Sequence, residues 1–158
     1  MAGEAFTLAE GLADRGRVSR VCQLALAVLV LYGGGMIRLG PDFRQWAERA
    51  DQAAAPGTVE RVYADIALAN TLYESQSRAL PLRRGALAMA RALGDRQALF
   101  EVASHFLVSP GAPKDQEERL RLAREFSRLP REGVRSPTIV RLLGQCRTIL
   151  MAGGERGE

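Results

Sequence analysis

The chain contains a single histidine, His105, in the segment SHFLV. Glu101 lies one helical turn before it, at a spacing that brings the two side chains within hydrogen-bonding reach. A histidine that acts as a general base also needs a nucleophile, or a carboxylate that orients it. Pairs at this spacing are common on ordinary helices, so the pattern favours a histidine that lies in a core or lines a binding groove.

A stripe of arginines is the most distinct charged feature. At about 100° per residue its members fall within about a quarter of the helix circumference. Glu117 and Glu125 lie on or beside the stripe and stand four residues from Arg121, which predicts a solvated face neutralised by its own ion pairs. The alternative is binding to phosphates or an acidic groove, although base-reading residues and a helix-turn-helix context are lacking. The stripe consists of Arg121, Arg124, Arg128 and Arg131.

No sequence motif for a cofactor, a metal ion or catalysis is present. The only lysine, Lys114, follows a proline-containing loop, so the glycines Gly33–Gly35 do not form a phosphate-binding loop. Cys22 and Cys146 have no second ligand at metal-binding spacing, and both are predicted to be buried, reduced thiols in a cytoplasmic protein. The sequence therefore predicts a protein that is not an enzyme and binds no cofactor or metal.

The composition favours an all-α fold. The 158 residues suit one domain with a sizeable core; 47% are hydrophobic, 6% are aromatic, and no segment alternates polar and apolar residues in the way of a strand. The net charge of +4 weakly permits an acidic partner. We expect a short helix or repeat remnant over 1–17, a helical-repeat domain over 18–152 and a flexible tail over 153–158.

The clearest helix boundary lies at Gly94-Asp95. Gly94 suits the left-handed position after a helix over Leu80–Leu93, and Asp95 suits the cap of a helix over Arg96–Val108. Pro81 suits the first turn of the earlier helix. Caps are also predicted at Thr58, at Asp115 with Glu118 as a capping box, and at Ser136-Pro137 before a last helix over Thr138–Ala152.

The uncharged segment Val21–Ile37 follows Arg15, Arg17 and Arg20. It is shorter than the ~20 residues of a membrane-spanning helix and it includes three glycines. An apolar helix of this kind is predicted to be buried between neighbouring helices. A membrane-associated or exported protein is the alternative.

The predicted helices form pairs that repeat about every 40 residues, as in helical solenoids. Two segments, LAMARALGDRQAL at Leu87–Leu99 and EERLRLARE at Glu117–Glu125, resemble the degenerate tetratricopeptide repeats of large bacterial signal-transduction ATPases and LuxR-type regulators. The resemblance implies a right-handed α-solenoid of about seven to eight helices in antiparallel pairs. It also implies a cytoplasmic regulatory scaffold that binds a protein, a peptide or a small inducer.

In such a scaffold the concave face would hold the partner. Nucleic-acid binding through the arginine stripe is the second hypothesis, and membrane association through Val21–Ile37 is the third. Self-association stays open because the last helix, Ile139–Met151, is apolar. The residues predicted to bind the partner are Tyr73, Arg84, His105, Arg121, Arg124 and Arg128.

Overall fold

The computed structural model describes residues 4, 7–8, 11, 14–33, 35–72, 75–108 and 115–154. Within these residues every regular element is helical and there is no strand, so the all-α prediction is confirmed. The described part contains one 3₁₀ helix, Gly35–Leu39, and seven α-helices. These are α1 (Arg15–Gly33), α2 (Pro41–Ala53), α3 (Val59–Thr71), α4 (Gln76–Leu93), α5 (Arg96–Val108), α6 (Gln116–Arg128) and α7 (Ser136–Ala152).

The chain divides into two compact units, an N-terminal unit over Met1–Met89 and a C-terminal unit over Ala90–Glu158. In the N-terminal unit α1 packs against α2 and α3, and α2 packs against α3. In the C-terminal unit α5 packs against α6 and α7, and α6 packs against α7. Each unit therefore has a helix packed against the next helix and against the one after it.

The N-terminal core is built largely from small side chains. Cys22 and Leu26 of α1 meet Phe43 and Ala47 of α2, and Ala64 of α3 lies in the same cluster. Alanines let helix axes approach closely, at the short end of the usual 8–10 Å separation. The alanine-rich composition therefore gives a tight three-helix packing with few aromatic residues.

The outward half of α1 is exposed. Leu24 is 67% exposed, Val28 52%, Leu31 75% and Tyr32 83%. The prediction that this helix is buried between its neighbours is therefore wrong for this face, because α2 and α3 cover only the opposite side. By length and composition alone α1 is long and apolar enough to cross a membrane, a property that core helices and signal sequences share.

The C-terminal core has an aromatic contact at its centre. Phe100 of α5 and Phe126 of α6 meet edge to face, with ring centroids 5.7 Å apart. Leu122, Leu142 and Cys146 are buried in the same unit. Cys22 and Cys146 are both buried and free, as predicted, and burial raises the pKa of the Cys146 thiol to about 11.

Two predicted helix boundaries are confirmed in detail. Gly94 has a φ of +66°, which a residue with a Cβ adopts only with strain. The Asp95 carboxylate accepts a hydrogen bond of 2.7 Å from the Ala98 backbone N–H. Thr58 caps α3 by accepting from the Arg61 backbone N–H at 3.2 Å. Each cap uses one of the free N–H groups of a helix start.

Other boundary predictions are wrong. Helix α4 begins at Gln76 rather than Leu80, so Pro81 lies inside it. Proline has no N–H to donate to the Ser77 carbonyl one turn earlier, but Ser77 is exposed and water can supply that hydrogen bond. Asp115 makes no side-chain cap because its backbone is helical, whereas a capping residue is extended. Ser136 is the first residue of α7, and its side chain caps nothing.

Helical spacing predicts that Arg83 lies off the buried face of α4, and this prediction is wrong. Its side chain is only 3% exposed, and its Nη2 donates to the Ala69 carbonyl at 3.3 Å. Burial lowers the pKa of this guanidinium. The long arginine side chain reaches a carbonyl near the end of α3, which periodicity within one helix does not predict.

Gly33 ends α1 in a confined position. A Cβ atom placed there would lie 2.8 Å from Cβ of Ile37 and 2.6 Å from its Cγ1. Ile37 belongs to the 3₁₀ helix, which contacts α1, α2 and α3. The 3₁₀ helix can therefore approach the end of α1 because residue 33 has no side chain.

Candidate functional site

A layer of polar side chains joins α5 to α7 in the C-terminal unit. Glu101 of α5 lies at its centre. Arg141 Nη2 donates to Glu101 Oε1, and Thr138 Oγ donates to Glu101 Oε2 at 3.0 Å. His105 Nε2 lies 3.6 Å from Glu101 Oε1, so the predicted proximity of the two residues is confirmed. One carboxylate thus gathers groups from two helices.

Further hydrogen bonds extend this layer along α5. The Gln97 amide donates to Thr138 Oγ at 3.1 Å, and its carbonyl accepts from the Arg135 backbone N–H at 2.8 Å. Arg141 Nε donates to the buried Ser104 hydroxyl at 2.7 Å. Residues 97, 101 and 104 lie on one face of α5 because they are separated by three or four positions. The helix therefore presents a polar row in an otherwise apolar sequence.

The environment of Glu101 keeps it ionised. Burial by itself would raise the pKa of this carboxyl, but the interaction with His105 and the charge of Arg141 outweigh it, and the pKa falls to about 2. A carboxylate with so low a pKa is a poor proton acceptor near neutral pH. Glu101 is therefore suited to fixing the positions of its partners, and a role as general base is disfavoured.

A cleft of about 190 Å³ opens beside this layer. Its lining residues include two arginines, Arg135 and Arg141, and one glutamate, Glu101. The cleft lies at the start of α7, where no side chain caps the helix. Because Arg141 already neutralises Glu101, the exposed Arg135 gives the cleft an excess of positive charge. The remaining lining residues are Pro137 and Thr138.

The predicted partner-binding residues fall in different places. Tyr73 lies outside the described residues. Arg84 is exposed on α4 in the N-terminal unit, and His105 is half-buried in the polar layer of the C-terminal unit. The arginine stripe lies on α6 and the loop after it. Its members Arg121, Arg124, Arg128 and Arg131 are all exposed.

The predicted pairing of Glu125 with Arg121 is wrong. Glu125 instead binds Arg91, whose Nη2 lies 2.7 Å and 2.8 Å from the two carboxylate oxygens. This partner comes from a different helix, so spacing within α6 cannot indicate it. The stripe is therefore less neutralised than the sequence predicts.

The N-terminal unit contains a second polar cluster, centred on a cation. Arg61 of α3 is 2.6 Å from Asp51 Oδ1 of α2 and 2.9 Å from Asp65 Oδ1 of its own helix. Its Nη1 also donates to the Asp51 carbonyl at 3.0 Å. Burial raises the pKa of Asp65 even though Arg61 acts in the opposite direction. This cluster connects α2 to α3.

The sequence did not single out five residues of the polar layer: Gln97, Ser104, Arg135, Thr138 and Arg141. Their partners lie some forty positions away, which helical spacing does not address. The one available signal was the polar row at 97, 101 and 104 on an apolar helix. Buried polar groups need partners, so that row implied a polar face opposite it.

No group of three or more metal-binding side chains occurs in the described part of the chain. Comparisons with protein-family models, curated proteins and solved structures give no match.

Proposed function

We propose that this protein is a non-enzymatic helical binding module whose C-terminal unit binds a carboxylate group of a protein, a peptide or a small ligand. The observation that carries the proposal is the cleft between α5 and α7, which is lined by two arginines and by one glutamate whose carboxylate is already paired with Arg141. A regulatory role as part of a larger protein agrees with such a module.

We further propose that each unit is built from right-handed, tetratricopeptide-like solenoid repeats. In both units a helix contacts the next helix and the one after it. In such repeats the first helix of a pair contacts its own partner and also the first helix of the next pair. In this assignment α1 corresponds to α3, and α5 to α7.

The chemistry of the cleft favours carboxylate ligands. A guanidinium group binds a carboxylate through two parallel hydrogen bonds, which are stronger than hydrogen bonds between neutral groups. Glu101 and Ser104 hold Arg141 in a fixed orientation, and Arg135 supplies an exposed cation beside it. An uncapped helix start also offers a favourable potential to an anion.

Fluorescence anisotropy with a labelled oligoglutamate peptide tests this proposal. Arg135→Gln should weaken binding about tenfold, the loss of one charge-assisted hydrogen-bonding group. Arg147→Gln is the matched control, because Arg147 is exposed on α7 and does not line the cleft. Equal losses in the two variants, or no binding by the wild-type protein, would contradict the proposed site.

The pairing of Glu125 with Arg91 favours a second candidate, nucleic-acid binding through the arginine stripe. Affinity for a short DNA duplex should then fall steeply with salt. The double variant Arg121→Gln, Arg128→Gln should lose this affinity, whereas Arg135→Gln should keep most of it. The same variants in the peptide assay should give the opposite ranking if the cleft is the site.

A further inference from the structure

The exposed face of α1 in the N-terminal unit is an apolar surface with a regular spacing. We call it the α1 seam, and it consists of Leu24, Ala27, Val28 and Leu31. These positions are separated by three, one and three residues, so they lie on one side of the helix. All four are exposed, whereas the opposite side of α1 is buried in the core.

We propose that the α1 seam binds a second copy of this chain, with the two α1 helices antiparallel about a twofold axis. Such an interface must be self-complementary, because the same patch serves both partners. The seam meets this condition about its midpoint. Leu24 would face the partner's Leu31, and the small Ala27 would face the partner's Val28, so the axes can approach closely.

The charges along α1 support the antiparallel orientation. Arg20 lies four residues before Leu24 on the same side and is exposed, and no charged residue follows it within the helix. A parallel pair would bring the two Arg20 side chains together. An antiparallel pair moves each Arg20 towards the partner's helix end, where free carbonyls carry partial negative charge and the last turn holds no basic residue.

The observations favour a second copy over a membrane surface. A helix that lies on a membrane carries basic residues along its polar face. The face of α1 opposite the seam instead packs Val18, Cys22 and Leu26 into the core. A spanning orientation would remove those side chains from their neighbours. One helix pair buries less than the ~1,200–2,000 Å² of a stable interface, so we expect a reversible dimer.

Sedimentation velocity over a concentration series tests the association. The wild-type protein should shift from monomer to dimer as its concentration rises. Leu24→Glu should weaken dimerisation about tenfold or more, because it places a charge at the interface. Val140→Glu on α7, at a residue that is 73% exposed, is the control and should dimerise like the wild type. A wild-type protein that stays monomeric at high micromolar concentration would overturn the proposal.

Cysteine cross-linking tests the orientation. Under mild oxidation a mixture of the Leu24→Cys and Leu31→Cys proteins should form a disulfide between them, since facing positions come within the Cα separation that a disulfide needs. Each variant alone should cross-link poorly. Efficient cross-linking of Leu24→Cys with itself would contradict the antiparallel pair. The native cysteines are buried and provide a low background.

Flotation with vesicles that contain anionic phosphatidylserine covers the membrane alternative. The wild-type protein should stay with the soluble fraction. Binding to vesicles that Leu24→Glu abolishes and Val140→Glu retains, together with a monomer in solution, would assign the seam to a membrane instead and overturn the dimer.

Discussion

The two polar clusters of this protein are opposites in charge. The N-terminal unit places one cation, Arg61, between two carboxylates, and the C-terminal unit places one carboxylate, Glu101, among several donors. Burial disfavours the ionised form in both clusters. It prevails at Asp65, whose pKa is raised, but not at Glu101, whose pKa falls to about 2.

The number of donors explains the difference. Asp65 shares Arg61 with Asp51, and the charge of Asp51 further raises the pKa of Asp65. Glu101 receives hydrogen bonds from Arg141 and Thr138 and interacts with His105. A buried carboxylate thus stabilises a fold only when its donors offset the loss of water. Four variants test this contrast, from the largest expected effect to the smallest.

Glu101→Gln should destabilise the C-terminal unit by about 3 kcal/mol near neutral pH. Arg141 loses its partner, and the variant loses the stabilisation that corresponds to the drop in the pKa of Glu101 from 4.5 to about 2. Hydrogen exchange in α5 and α7 measures the loss. The folded pKa lies below the ordinary value of 4.5, so the wild-type advantage should be complete above that pH and vanish towards pH 2. An unchanged difference at low pH, or an equal loss in exposed Glu117→Gln, would contradict the assignment.

Arg61→Met should destabilise the N-terminal unit by about 2 kcal/mol. It leaves Asp51 and Asp65 without their shared cation, but Asp51 remains accessible to water, which limits the cost. Exchange in α2 and α3 should rise. Arg44→Met provides the control, because that side chain is exposed on α2. A variant as stable as the wild type would mean that the cluster does not hold the two helices together.

Thr138→Val should cost about 1 kcal/mol, the usual value of one hydrogen bond. It preserves the shape of the side chain and removes the hydroxyl between Gln97 and Glu101. The pKa of Glu101, followed by NMR titration of its side-chain carboxyl, should rise towards its ordinary value. Thr148→Val, on the exposed surface of α7, should leave the pKa of Glu101 unchanged. A similar shift in both variants would contradict a specific effect of the Thr138 hydroxyl on Glu101.

Asp65→Asn should change the free energy of unfolding by less than about 0.5 kcal/mol, since an amide still accepts a hydrogen bond from Arg61 and avoids burying a charge. The raised pKa of Asp65 means that its ionisation costs stability as pH rises. In urea unfolding, the free energy of unfolding of the variant should therefore increase relative to that of the wild type as pH rises. A loss of more than about 1 kcal/mol in the free energy of unfolding would mean that the Asp65 carboxylate stabilises its unit as Glu101 does, and would contradict the contrast.

Local signals in the sequence predicted some helix ends correctly and misplaced others. Gly94, Asp95 and Thr58 mark their helix ends through backbone conformation and one short hydrogen bond, and all three are confirmed. Pro81 gave the wrong start for α4, because a proline is also tolerated beyond the first turn of a helix when the carbonyl that it leaves without a donor is exposed.

Residue spacing within one helix did not predict the contacts between helices. The proximity of His105 to Glu101 was predictable, since both lie on α5, but the contributions of Thr138 and Arg141 required the packing of α7. Glu125 likewise found Arg91 on another helix. The exposure of α1 depends on which faces its neighbours cover, and hydrophobicity alone does not specify that.

The contact between Gly33 and Ile37 restricts how this sequence can diverge. Shortening residue 37 to alanine would not make room at position 33, because the Ile37 Cβ itself lies 2.8 Å from where a new Cβ would be. Any relative with a side chain at position 33 should therefore carry glycine at position 37 or a 3₁₀ helix of different length. Substitutions at positions 33 and 37 should therefore occur together in related sequences. A substitution of Gly94 should need no second change elsewhere, because only its own backbone conformation restricts that position.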